Sequence, residues 1–121
     1  MHTKVQIVFL ALIALVFNTI HAYAHETGFV NIHELRRYGR YLCTVSHEHA
    51  GVGNTKKTKK LAIRSAVRKW SNFTAWEYGP TWGKWRYARG KSVSCKGAKG
   101  AVSCTVTARP CKRLRKIQRR N

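Results

Sequence analysis

The chain of 121 residues contains no aspartate, and its only acids are Glu26, Glu34, Glu48 and Glu77. An Asp-based metal cage, a glycosidase carboxylate pair resting on a catalytic Asp and a Walker-type phosphotransferase therefore all lack parts. Neither C-x-x-C nor C-x-x-H occurs, which removes the common spacings of a structural zinc site. His47 and His49 flank a single glutamate, a spacing that fails the H-E-x-x-H pattern of a metalloprotease helix. Beyond the segment from Val5 to Phe17 there is no long apolar run.

Against four acids stand 24 Lys and Arg, for a net charge of +20. A composition that is 44% hydrophobic and holds four Trp can nevertheless build a small core. The start, Met1-His2-Thr3-Lys4, is weakly positive, and Val5 to Phe17 is apolar except at Gln6. Ala22-Tyr23-Ala24 then supplies small residues where a signal peptidase cuts, so residues 1–24 read as a secretory signal with His25 as the new start. The apolar run is shorter than the roughly 20 residues that span a bilayer. Removing 24 of 121 residues leaves 97, and since Lys4 is the leader's only charge, +19 of the +20 remains. One domain is expected.

Export makes disulfides the expected state of Cys43, Cys95, Cys104 and Cys111. Residues 25–37 mix charge and apolar side chains without a period and read as an arm, and residues 38–111 as the domain. Tyr41, Cys43 and Val45 alternate with Leu42 and Thr44, a strand that should run out into a turn at His47–His49 and Gly51-Val52-Gly53. Asn54 or Thr55 is placed to cap a helix. Its apolar stripe would be Leu61, Ala62, Ile63, Ala66, Val67, Trp70 and Phe73, with Lys57, Lys60, Arg64 and Arg68 on the other side. Gly79-Pro80 should end it. Trp82 and Trp85 would share one side of a short helical turn.

A hairpin follows. If Cys95 faces Cys104, Val93 faces Val106, and Gly97-Ala98-Lys99-Gly100 supplies the turn. That register predicts a Cys95–Cys104 bridge. Elimination, with the inward parity of Cys43, leaves Cys43–Cys111, although Cys43–Cys104 with Cys95–Cys111 fits the same parities. The fold class expected is α+β: one long amphipathic helix on a three-stranded antiparallel sheet, stabilised by disulfides.

A polyanion is the expected partner. A charge of +19 exceeds the magnitude of about 2–8 that keeps a small domain soluble, and the excess costs self-repulsion. The candidate contacts are Lys57, Lys60, Arg64 and Arg68 on the helix, with Lys112, Arg113, Arg115, Lys116, Arg119 and Arg120 in a basic tail, residues 112–121. Nucleic acid, lipopolysaccharide, an acidic envelope polymer and an anionic membrane face all offer suitable groups. No catalytic residue, cofactor, metal or small-molecule substrate is assigned. His47 and His49 are only two ligands, and they read as solvent-exposed turn histidines. A ribonuclease would need an acid and a base straddling one phosphate, which neighbours on one strand do not. A membrane-active toxin or antimicrobial is a third class. Of the aromatics, Trp70 and Trp85 are expected inside, and Trp76 and Trp82 are the candidates for surface duty.

Two resemblances bear on these expectations. The segment from Tyr41 through Gly51-Val52-Gly53 to Lys56-Lys57-x-Lys59-Lys60, with Ala62 and Ala66, resembles the strand-to-last-helix half of a double-stranded RNA-binding domain. That domain places a helix N-terminus and paired lysines on phosphates, but here the hairpin follows the helix. Ala66-x-x-x-Trp70, Tyr78-Gly79, Trp82-x-x-Trp85, Cys95, Cys104 and Ala108-x-Pro110-Cys111 resemble small exported bacterial proteins of uncharacterised function. This second resemblance implies export and the domain limits, and no mechanism.

Overall fold

The computed structural model describes residues 25–116; the proposed signal segment and the end of the basic tail, with Arg119 and Arg120, lie outside them. The fold is α+β, with, among the described residues, six strands, β1 (Leu35–Tyr38), β2 (Tyr41–Thr44), β3 (His49–Val52), β4 (Arg89–Ala98), β5 (Ala101–Arg109) and β6 (Cys111–Arg113), and one long helix, α1 (Lys59–Tyr78). Short 3-10 turns cover Phe29–Ile32 and Trp85–Tyr87. Among the described residues no helix is long and apolar enough to cross a membrane.

The expected single sheet is instead two antiparallel sheets of three strands, ordered β1-β2-β6 and β3-β5-β4. The β4–β5 hairpin has the anticipated register, Cys95 opposite Cys104 and Val93 opposite Val106. Its third strand is β3, however, not the strand at Tyr41. Gly51-Val52-Gly53, expected as a turn, instead belongs to β3 and its immediate exit. The reason is close packing. A Cβ on Gly51 would collide with the Ala66 carbonyl, and one on Gly53 would stand 2.7 Å from the Ala66 nitrogen. These glycines let the strand backbone lie directly on the helix. β2 pairs with β1 on one side and β6 on the other, so part of the expected arm, Leu35–Arg37, is an edge strand. The first residues of the expected tail are likewise in β6.

Pro110 stands between β5 and β6 and hands the chain from one sheet to the other, and its carbonyl accepts from Thr44 N at 3.1 Å. Cys111 thereby comes opposite Cys43, and both predicted bridges, Cys43–Cys111 and Cys95–Cys104, are formed. The rival pairing would join different sheets. Two disulfides are consistent with an exported protein in an oxidising environment.

Helix α1 begins later than expected. Thr58, not Asn54 or Thr55, is the N-cap, with its hydroxyl accepting from Leu61 N at 3.3 Å. Lys57 thus precedes the helix. At the other end Gly79 is the C-cap, as Gly79-Pro80 implied. The buried positions Ala62, Ala66, Trp70, Thr74 and Tyr78 recur every fourth residue. At 3.6 residues per turn that stripe drifts by about 160° over its length. Its first part packs with Cys104, Val106, Ala108 and Ala88, and its end, Tyr78, with Val30 and Trp82. One helix therefore serves two cores. Leu61 and Phe73, assigned to the apolar stripe, lie on its exposed margin.

The tryptophans split in an unexpected way. Trp70 is buried and meets Trp85 edge-on at 5.1 Å, while Trp76 is 76% exposed. Trp82, a surface candidate by sequence, is instead fully buried in the second core. Trp82 and Trp85 consequently sit in different clusters and do not share one side.

Candidate polyanion interface

β1 and β2 form a hairpin whose turn is Gly39-Arg40. Gly39 has φ 58°, and Arg37 Nε donates to its carbonyl at 2.8 Å. A two-residue turn in this left-handed conformation suits the twist of the strands, and it lifts Arg40 into solvent. In β6, Arg113 pairs with Tyr41, and Leu114 N donates to Arg40 O at 2.7 Å, which fixes the carboxy-terminal strand against the turn. Arg89, at the start of β4, approaches from the other sheet: its guanidinium lies 5.0 Å from the Tyr38 ring centre and 6.0 Å from that of Tyr41, within cation–π range.

Tyr38, Gly39, Arg40, Tyr41, Arg89 and Arg113 together line an open cleft of about 670 Å³. A second cleft of about 300 Å³ adjoins it, formed by Arg40, Arg113, Leu114, Arg115 and Lys116. Arg40 and Arg113 belong to both, and among the described residues no carboxylate lines either one. Tyr87 extends the aromatic surface, 5.4 Å from Tyr41 and with Arg86 4.8 Å over its ring. Desolvation would raise the Tyr87 hydroxyl, but hydrogen bonding to Arg113 and Arg86, and their charge, hold it below the usual phenol range.

The expected contact residues divide into three groups. Arg113, Arg115 and Lys116 converge on the clefts. Lys57, Lys60, Arg64 and Arg68 are exposed, on α1 or just before it, but line neither cleft. Lys112 differs from both. Strand alternation turns it to the face opposite Arg113, where its ammonium is 2.9 Å from Glu26 Oε2 and 5.2 Å from the Trp82 ring. It is already paired. Burial alone would raise the Glu26 carboxyl, but hydrogen bonds from Thr81 and Lys112 and the Lys112 charge hold it below its usual value.

Tyr38, Arg40 and Tyr41 share one hairpin, but Arg89 and Arg113 join them only when β4 is brought alongside and β6 pairs with β2, so the cleft is not visible in the sequence. Tyr41 was visible only as a strand residue. The histidines also depart from expectation: His49 is 3% exposed at the start of β3, so it is not a turn histidine in solvent. Comparison with protein-family models, curated proteins and solved structures finds no match to this chain.

Proposed function

We propose that this chain is an exported, non-catalytic cationic module that attaches to a polyanion, with the arginine–tyrosine clefts as its principal contact. The observation that carries this reading is the convergence of Arg40, Arg89 and Arg113 on one open cleft that no carboxylate of the described residues lines. Like charges brought together at a surface repel, and a ligand rich in phosphate or carboxylate relieves that repulsion. The tyrosine rings add flat apolar area beside the cations, the combination that suits a single nucleic-acid strand. Lipopolysaccharide and acidic envelope polymers match the charge without needing the rings. Helix α1 supplies a second basic surface. Its first turn has no acid, and Lys57, Lys59 and Lys60 crowd its positive dipole end.

The mature protein should be retained on heparin and on single-stranded DNA with steep salt dependence. On DNA the slope should flatten by about 0.7 for each phosphate contact removed. The triple variant Arg40→Ala, Arg89→Ala, Arg113→Ala should bind at least ~10-fold more weakly. Equal binding by the triple variant would remove the clefts from the function. Salt-insensitive or absent binding would remove the polyanion itself. The alternatives are separated directly: hydrolysis of a fluorogenic RNA that is lost in His47→Ala and His49→Ala would favour a ribonuclease-type enzyme. Dye release from anionic vesicles alone would favour a membrane-active toxin.

A further inference from the structure

We propose that His47, His49 and Glu77 form a binding site for one divalent transition-metal ion of the zinc class. His47 and His49 come from the approach to β3 and its first residue, and Glu77 from the last turn of α1. One ligand atom from each lies within 4.8 Å of the others. The sequence pattern by itself brings only the two histidines together. Packing β3 on α1 supplies a third donor from 28 positions away.

The arrangement around His49 points to a cation. Its Nδ1 is 2.8 Å from Thr74 Oγ1, one helical turn before Glu77, so the hydroxyl fixes the ring and leaves Nε2 for a second partner. Nε2 lies 2.9 Å from Glu77 Oε2, yet the two are not aligned as a hydrogen bond, and neither buried atom has another partner among the described residues. With Thr74 accepting the Nδ1 proton, an imidazole lone pair faces a carboxylate, and a cation between them satisfies both. With metal bonds of about 2.0–2.2 Å, the Nε2 and Oε2 donors, 2.9 Å apart, subtend about a right angle at one ion.

The surroundings fit that use. His33 stacks on His47 at 4.0 Å, and His47 meets His49 edge-on at 5.0 Å, so the rings brace one another. Tyr78 packs 4.8 Å from His49, and Phe73 4.9 Å. His47 and Glu77 are only partly buried, which leaves an ion a route in from solvent. Two imidazoles and a carboxylate suit zinc, cobalt, nickel or copper better than magnesium or calcium. Three protein donors also leave room for water.

The test uses the untagged mature chain with Zn²⁺ alone, in competition with a chromophoric chelator, and Co²⁺ absorption as a second readout. One equivalent should bind, and His47→Ala and Glu77→Gln should each weaken it at least ~10-fold while leaving the far-ultraviolet circular dichroism unchanged. Glu77→Gln keeps the side-chain shape, so its result stands even where His47→Ala disturbs folding. His25→Ala, outside the cluster, should bind as the parent does. Absence of stoichiometric binding, undiminished binding in Glu77→Gln, or loss of binding in His25→Ala would each overturn the assignment.

Discussion

A methyl group added at Gly53 would stand 2.7 Å from Ala66 N and 2.9 Å from Ala62 O, both backbone atoms of α1 that cannot swing aside. Gly53→Ala should therefore lower stability by about 2–3 kcal/mol, as overpacked cores do. At Gly39 there is open space but φ is 58°, so Gly39→Ala should cost only about 1 kcal/mol of left-handed backbone strain. Urea unfolding of the two variants measures the difference, and equal costs would mean that β3 does not lie against the helix. Tyr78 is fully buried, and its hydroxyl has no partner among the described residues. Removing an unsatisfied group of this kind is neutral or favourable, so Tyr78→Phe should change stability by no more than about 1 kcal/mol, toward greater stability. Marked destabilisation would reveal a partner for that hydroxyl.

At the scale of the element, capping and pairing are the exposed joints. Thr58→Ala should cost about 1 kcal/mol in a thermal melt, whereas Asn54→Ala should not act through the helix end, because the N-cap lies four residues later. The amino-terminal segment is held to β6 by Glu26 and Lys112. Since the Glu26 carboxyl is held below its usual value, this contact contributes stability above about pH 4.5, and the contribution fades as pH falls through the lowered value. Glu26→Gln should accordingly flatten the acid limb of the stability curve. Its effect at neutral pH should stay below about 1 kcal/mol, because the pair is partly exposed and screened. An unchanged acid limb would show that Glu26 does not contribute to it.

For the molecule as a whole, α1 packs mainly on the β3-β5-β4 sheet and reaches the other through the cluster of Tyr78, Val30 and Trp82, on which Leu35 and Leu42 pack. The β5–Pro110–β6 passage links the two sheets, and each carries its own disulfide. Cys43–Cys111 closes a separation of 68 residues and Cys95–Cys104 one of 9. In the chain-entropy picture the first contributes about 4 kcal/mol and the second about 2.5. The Cys43→Ala/Cys111→Ala pair should thus melt lower than Cys95→Ala/Cys104→Ala, and should also weaken polyanion binding, because β6 carries Arg113 into the cleft. A reversed order of melting would mean that hairpin closure, not the long loop, dominates.

Local patterning was enough to read the helix and its stop at Gly79-Pro80, the β4–β5 register and the α+β class, since each rests on side-chain period or turn residues within a few positions. Elimination also reached the Cys43–Cys111 bridge, through parity and an even cysteine count. The second sheet was not legible: β1 has only four residues, with Arg36 and Arg37 adjacent at its centre, so it carries no period-two alternation to read. The same holds for the candidate sites. The basic tail was plain as composition, but its partition into Lys112, paired with Glu26, and Arg113, open to the cleft, follows from strand alternation in β6. Tertiary packing alone decided that Trp82 is buried, that Arg89 meets Tyr38, and that Glu77 meets His49. These contacts join residues far apart in the chain, and their geometry exists only when β3, β6 and α1 are all in place.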